Sequence, residues 1–141
     1  MSKELTRAEF RFSPDARFVP GVVAAAEHFG QRVHLDDAAV QALMRATQEA
    51  CQSTFKLLSG DSATLGVVVE EFADRVEITI EHQGEALPTA GLDTFLDAVA
   101  EQAAPDELSG IMLMTMVDRV QYQTQAGIQR MTLVKYAPSA K

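Results

Sequence analysis

Much of what would mark a chemistry at first sight is missing from this chain of 141 residues. It has one cysteine and no tryptophan, and only 5 prolines and 8 glycines. A single Cys51 excludes an internal disulfide framework and any thiolate zinc cluster. No run approaches the ~20 consecutive apolar residues that a membrane span needs. The opening MSKELTRAEF holds no apolar core of the kind a secretory signal carries, so the expectation is a cytoplasmic protein without a membrane partner. Twelve basic residues against twenty acidic ones give a net charge of −8, and the cations are scattered singly. That balance argues against a phosphate-coating nucleic-acid binder. Phosphate-cradling Walker loops, Gly-x-Gly-x-x-Gly turns and serine nucleophile elbows are all absent from the sequence.

What the chain does have is apolar residues, 47% of the total, arranged with clear periods and without internal repeats or a long linker. One domain spanning 1–141 is expected, large enough to bury a core without staples. Phe10 and Phe12 alternate with Glu9 and Arg11 as a short strand. A helix is expected from about Pro20 through Val22, Val23, Ala26 and Phe29, with Gly30 as its stop. The clearest helix runs from Asp37 to Leu58. Asp36 is placed to cap it, and Leu35 and Val40 occupy the two positions of a hydrophobic staple. At 100° per residue Val40, Leu43, Met44, Thr47, Cys51, Thr54, Phe55 and Leu58 share one face. A second face carries Ala42, Ala46, Glu49 and Ser53, small enough to admit another helix or a ligand.

Leu65–Phe72 and Arg75–Glu81 read as a hairpin with Val76, Ile78 and Ile80 inward, and His82 to Gly91 reads as a loop. A short amphipathic helix around Leu92–Ala100 and a buried one over Ile111–Val117 follow. A last hairpin, Arg119–Thr124 and Ile128–Tyr136, turns at Gln125-Ala126-Gly127. Paired strands with helices between them indicate an α+β fold, a two-layer sandwich of a mostly antiparallel sheet with helices on one face.

Candidate chemistry is sparse. His28, His34 and His82 have no second ligand at helical spacing and read as ordinary surface histidines. Cys51 reads as a buried structural thiol, and Met112, Met114 and Met116 as core fillers. The pairs Glu70-Glu71, Asp36-Asp37 and Asp106-Glu107 read as solvated or capping charges. One set stands apart: Glu49 and Ser53 a turn apart on the small-residue face, His82-Gln83-Gly84 after a strand, and Ser109-Gly110 opening the expected buried helix. Glycines at such places let backbone approach a phosphate or a ring.

From Glu9 to Tyr136 the order of elements and these motifs resemble the anti-sigma-factor serine kinases. These are a branch of the GHKL ATPase superfamily with the histidine-kinase-like ATPase fold. Glu49-Ala50-Cys51-Gln52-Ser53-Thr54 resembles the family's Glu-Ala-x-x-Asn-Ala box. His82-Gln83-Gly84-Glu85-Ala86 resembles Asp-x-Gly-x-Gly, and Leu108-Ser109-Gly110-Ile111-Met112-Leu113 resembles Gly-x-Gly-Leu-x-Leu. The resemblance implies ATP and Mg²⁺ as ligands, Glu49 as catalytic base, Ser53 at the metal position, and His82, Gly84 and Gly110 around the nucleotide. It also implies a sigma factor or an anti-anti-sigma-type protein as partner, and a homodimer.

The departures fall together. Ser53 stands where the family has a metal-binding Asn, His82 where it has the Asp that accepts from the adenine amine, Ala86 and Leu108 where it has glycines. Losing a hydrogen bond to a charged acceptor costs about 1.5–3 kcal/mol, or one to two decades of affinity. The expectation is a regulator that works by binding proteins, with ATP binding weakened or lost. The alternatives are an active ATP- and Mg²⁺-dependent serine/threonine kinase, and an unrelated α+β domain binding another small ligand over the Ala42–Ala46–Ser53 face.

Overall fold

The computed structural model describes residues 4–56, 58, 63–83 and 115–138. The expected helices over Leu92–Ala100 and most of Ile111–Val117, together with Gly84 and Gly110, lie outside that set. Strand β1 (Glu4–Phe12) leads through a 3-10 turn (Ala16–Phe18) into helix α1 (Val19–Arg32) and then α2 (Asp37–Phe55). Strands β2 (Leu65–Phe72), β3 (Arg75–Gln83), β4 (Arg119–Gln125) and β5 (Ile128–Tyr136) follow. The five strands form one sheet in the order β1-β2-β3-β5-β4, every neighbouring pair antiparallel. The described architecture is therefore α+β, an antiparallel sheet carrying two helices. Because β3 and β4 both oppose β5, they run parallel to each other. No short hairpin can join them, and residues 84–118 make the connection.

Alternation decides which face the helices cover. Val67, Val69, Val76, Ile78, Ile80, Met131 and Leu133 are buried and join a single core cluster with Val22, Ala26, Phe29, Leu43, Ala46 and Cys51 of the helices. Each such side chain taken from water contributes roughly 1.5–3 kcal/mol, so this cluster is what holds the helical layer to the sheet. The opposite face is polar, with Glu81 paired to Arg130 at 2.6 Å and the Thr79 and Thr132 hydroxyls 3.1 Å apart.

The helix boundaries follow local chemistry. Asp36 caps α2 as expected, its Oδ1 accepting from the Ala39 N–H at 2.8 Å, and Leu35 and Val40 flank the cap, both buried. The helix ends at Phe55, short of Leu58. The expected stop at Gly30 is overturned, because α1 continues to Arg32. His34 takes the left-handed position instead, at φ 66°. The Leu35 N–H donates to the Gly30 carbonyl and the His34 N–H to the Gln31 carbonyl, each at 3.1 Å, a complete Schellman ending. Gly30 serves packing: a Cβ there would lie 3.3 Å from Leu35 Cδ1 and 3.4 Å from Val40 Cγ2.

Candidate functional site

The site expected from the sequence is built on α2 and on the end of β3. Helix α1 lies on β2 and β3, while α2 lies on β3 and β5. Met44, Gln48 and Gln52 line a cleft between α2 and the α1 residues Val19, Pro20, Val23 and Ala24. At 100° per residue, Ala42, Ala46, Glu49 and Ser53 occupy the other flank, turned away from α1 toward the β5–β4 side of the sheet. Ala46 and Ala50 are fully buried, and Ala42, Glu49 and Ser53 are half-buried. The expected small-residue face is thus real, and its centre is enclosed.

His82 departs from two expectations. It belongs to β3 rather than to a loop, and it is buried, 4% exposed, rather than on the surface. The reason is parity: Val76, Ile78, Ile80 and His82 are successive inward positions of one strand. His28 and His34 are exposed, as ordinary surface histidines are. The Nδ1–H of His82 donates to the Gln83 carbonyl at 3.3 Å. A carbonyl only accepts, so in the neutral ring this bond leaves Nε2 as the acceptor nitrogen. Among the described residues that buried Nε2 has no hydrogen-bond partner, a costly arrangement for a buried polar atom.

Register places the neighbours of His82. The row across the inner sheet face reads Phe12, Leu65, His82, Gln129, Thr124. Its far half is polar: Gln129 is buried, and Thr124 Oγ1 donates to Gln129 Oε1 at 2.5 Å. Gln129 was not among the expected site residues, yet Gln129, Met131 and Leu133 alternate in the sequence, and the inward position follows from that. The near half fixes α2, since the Phe55 ring stands 6.2 Å from Phe12 in an edge-on contact. The C-terminal turns of α2, with Ser53 two residues before Phe55, therefore reach the same end of the sheet as His82. Glu49 and Ser53 are brought to that end; Gly84 and Gly110 fall outside the described residues.

Charge is sparse in this region. At the His82 end of the inner face Gln129 and Thr124 are neutral and Glu49 on α2 supplies a carboxyl group, while Lys135 of β5 stands on the same face opposite Val76, at the other end of β3, and Arg45 is exposed one turn before Glu49. Cys51, facing the core, has its thiol pushed up to about 12 by burial and is no nucleophile. Among the described residues no group of three or more His, Cys, Asp or Glu side chains could hold a metal ion. No helix among them is long and apolar enough to cross a membrane. Comparison with models of known protein families gives no match for this chain, and comparison with curated proteins gives none.

Proposed function

We propose that this chain is a cytoplasmic regulator of the anti-sigma-factor type, acting by binding another protein, with a histidine-kinase-like ATPase fold whose nucleotide chemistry is weakened or lost. The observation that supports the reading is that the last turn of α2, which carries Ser53, and the inward His82 of β3, whose buried Nε2 has no partner among the described residues, both lie toward one end of the sheet. The resemblance asks for a metal position and a base-recognition position on these two elements. Two features support the loss of nucleotide chemistry: Ser53 offers a metal a hydroxyl in place of a carboxamide, and His82 offers an amine a neutral acceptor in place of a carboxylate. The partner is then a sigma factor or an anti-anti-sigma-type protein.

Titration with ATP, with and without Mg²⁺, tests this directly. The expected outcome is no saturable binding in the micromolar range. Ser53→Asn combined with His82→Asp should raise affinity by about ten- to a hundred-fold. Unaltered binding in that double variant would show the residue correspondence to be wrong. Micromolar, Mg²⁺-dependent binding by the unaltered protein would favour the active serine/threonine kinase, with Glu49 as the base.

A further inference from the structure

We infer that the cleft between α1 and α2 is a docking groove for a basic amphipathic helix of a partner protein. The inference rests on the reading of the chain as a protein-binding regulator and names the surface that binds. The cleft has a volume of about 380 Å³. Val23 and Met44 line it half-buried, while Pro20 and Ala24 stand exposed on its α1 side. A solvated helix face would carry long polar side chains at positions 20 and 24. Both residues here are short and apolar, and they leave the cleft open to solvent.

Backbone chemistry selects the form of the occupant. Beyond the first turn of α1, both walls are helices whose N–H and C=O groups bond within their own helix. A chain lying between them finds no backbone partner there, so its buried N–H and C=O groups have to be satisfied internally. A helix meets that condition and an extended segment does not. From Pro20 to Glu27 the α1 wall rises by about 10 Å. That length matches two turns of an occupant whose apolar side chains recur at i, i+4 and i+7.

Charge selects the sign of the occupant. Among the described residues Glu27 is the one ionisable side chain that lines the cleft. It forms no ion pair among them, and the arginine of its own helix, Arg32, is taken by Glu71 at 2.6 Å. Gln48 and Gln52, one turn apart on α2, contribute only neutral donors and acceptors. An unpaired carboxylate among apolar walls, in a chain of net charge −8, is complementary to a cation and repels an acidic segment. Met44 adds tolerance, because an unbranched thioether repacks around differing apolar shapes.

Selection of random peptides displayed on phage against the full chain supplies the probe. The expected consensus has apolar residues at helical spacing together with a Lys or Arg, and a synthetic copy of it should bind in fluorescence anisotropy. Ala24→Trp fills the cleft from an exposed position and should weaken that binding about ten-fold or more. Glu27→Lys should weaken it about ten-fold, and a peptide with its cation exchanged for Glu should recover the loss. Asp37→Lys, an equal charge reversal at an exposed position outside the cleft, should leave binding unchanged. Selection without a consensus, an acidic consensus, one that alternates with a period of two, or binding that neither cleft variant alters would each overturn the proposal. So would a dimer in sedimentation equilibrium that Ala24→Trp dissolves, because the occupant would then be a second copy. Micromolar, Mg²⁺-dependent ATP binding would overturn the regulator reading without altering any of these readouts, so the two failures are told apart.

Discussion

The sheet contains two hairpins that turn by different means. Between β2 and β3 the chain reverses at Ala73-Asp74, neither of which has a positive φ. The turn is clamped from outside by Arg75, whose guanidinium carbon lies 3.9 Å over the Phe72 ring while its nitrogens reach Asp74 at 2.8 Å and Glu77 at 2.5 Å. The Ala137 N–H donates to the Asp74 carbonyl at 2.8 Å. Between β4 and β5 the reversal is made by the backbone alone, with Ala126 at φ 53° and Gly127 at φ 78° and open space around the glycine. The first hairpin is fixed by its surroundings and buries most of its inward residues. The second is fixed by its own turn, and almost all of β4 is exposed. A strand held by packing is committed to the core, whereas one held by its turn keeps an inner face for other uses.

The sharpest way to break that comparison is to truncate equivalent inward positions. Ile78 is fully buried in β3, and Tyr122 of β4 is 37% exposed. Ile78→Ala should cost about 2–5 kcal/mol through lost transfer energy and the cavity left behind. Tyr122→Ala should cost about 1 kcal/mol or less, in the range of surface changes. Urea unfolding measures both, and equal losses would show β4 to be as deeply committed as β3.

How much of this was legible in the sequence also divides between the hairpins. Strict alternation from Val76 to Ile80 gave away the first one, and the Asp36 cap with its Leu35–Val40 staple gave away α2, because these signals are local. Gly30 misled because its local meaning, a helix stop, gave way to a tertiary one: room for Leu35 and Val40. The left-handed ending passed to His34, at φ 66°, a residue type that enters this region more readily than most but far less readily than glycine. His82 was misplaced in a loop because polarity outweighed parity, although the period of two ran straight through it. Glu49 and Ser53 could be found from spacing on α2. That they reach the end of the sheet where His82 stands depends on the Phe12–Phe55 contact, between residues 43 positions apart, and no local pattern contains that.

A smaller effect belongs to the outer face of the first hairpin. The Glu70 carboxyl is pushed up to about 7, first by desolvation and then by its hydrogen bond and proximity to the Glu4 carboxyl, with Arg7 opposing. The folded state therefore holds a proton that the unfolded chain has lost above its ordinary value near 4.5. Stability falls as pH rises from about 4.5 to about 7 and then levels off. Glu70 is partly exposed, so solvent screening limits the effect to on the order of 1 kcal/mol. Glu70→Gln should be more stable than the unaltered protein at pH 8 and close to it at pH 4, as read from unfolding midpoints at the two values. A difference that does not change with pH would remove the Glu4–Glu70 interaction from the account of this hairpin.

The smallest effect sharpens the comparison at the second turn. A two-residue hairpin loop with both φ values positive is a type I′ geometry, for which Asn-Gly is strongly preferred. Ala126 meets it with an unfavourable residue, since a Cβ in the left-handed region costs about 1–2 kcal/mol against the following carbonyl oxygen. Asn tolerates that region better through local hydrogen bonding, so Ala126→Asn should stabilise the fold by roughly 0.5–1 kcal/mol. In thermal unfolding of a chain of this length that is a rise of about 2–4 °C. Gly127→Ala should do the reverse by a comparable amount, with no steric clash involved, because nothing lies within 4 Å of the added Cβ. If both changes are silent, the turn is not what fixes β4. Its position would then have to come from contacts at its other end, where the Tyr136 N–H donates to Asp118 Oδ2 at 2.7 Å and the Asp118 N–H to the Val134 carbonyl at 3.0 Å.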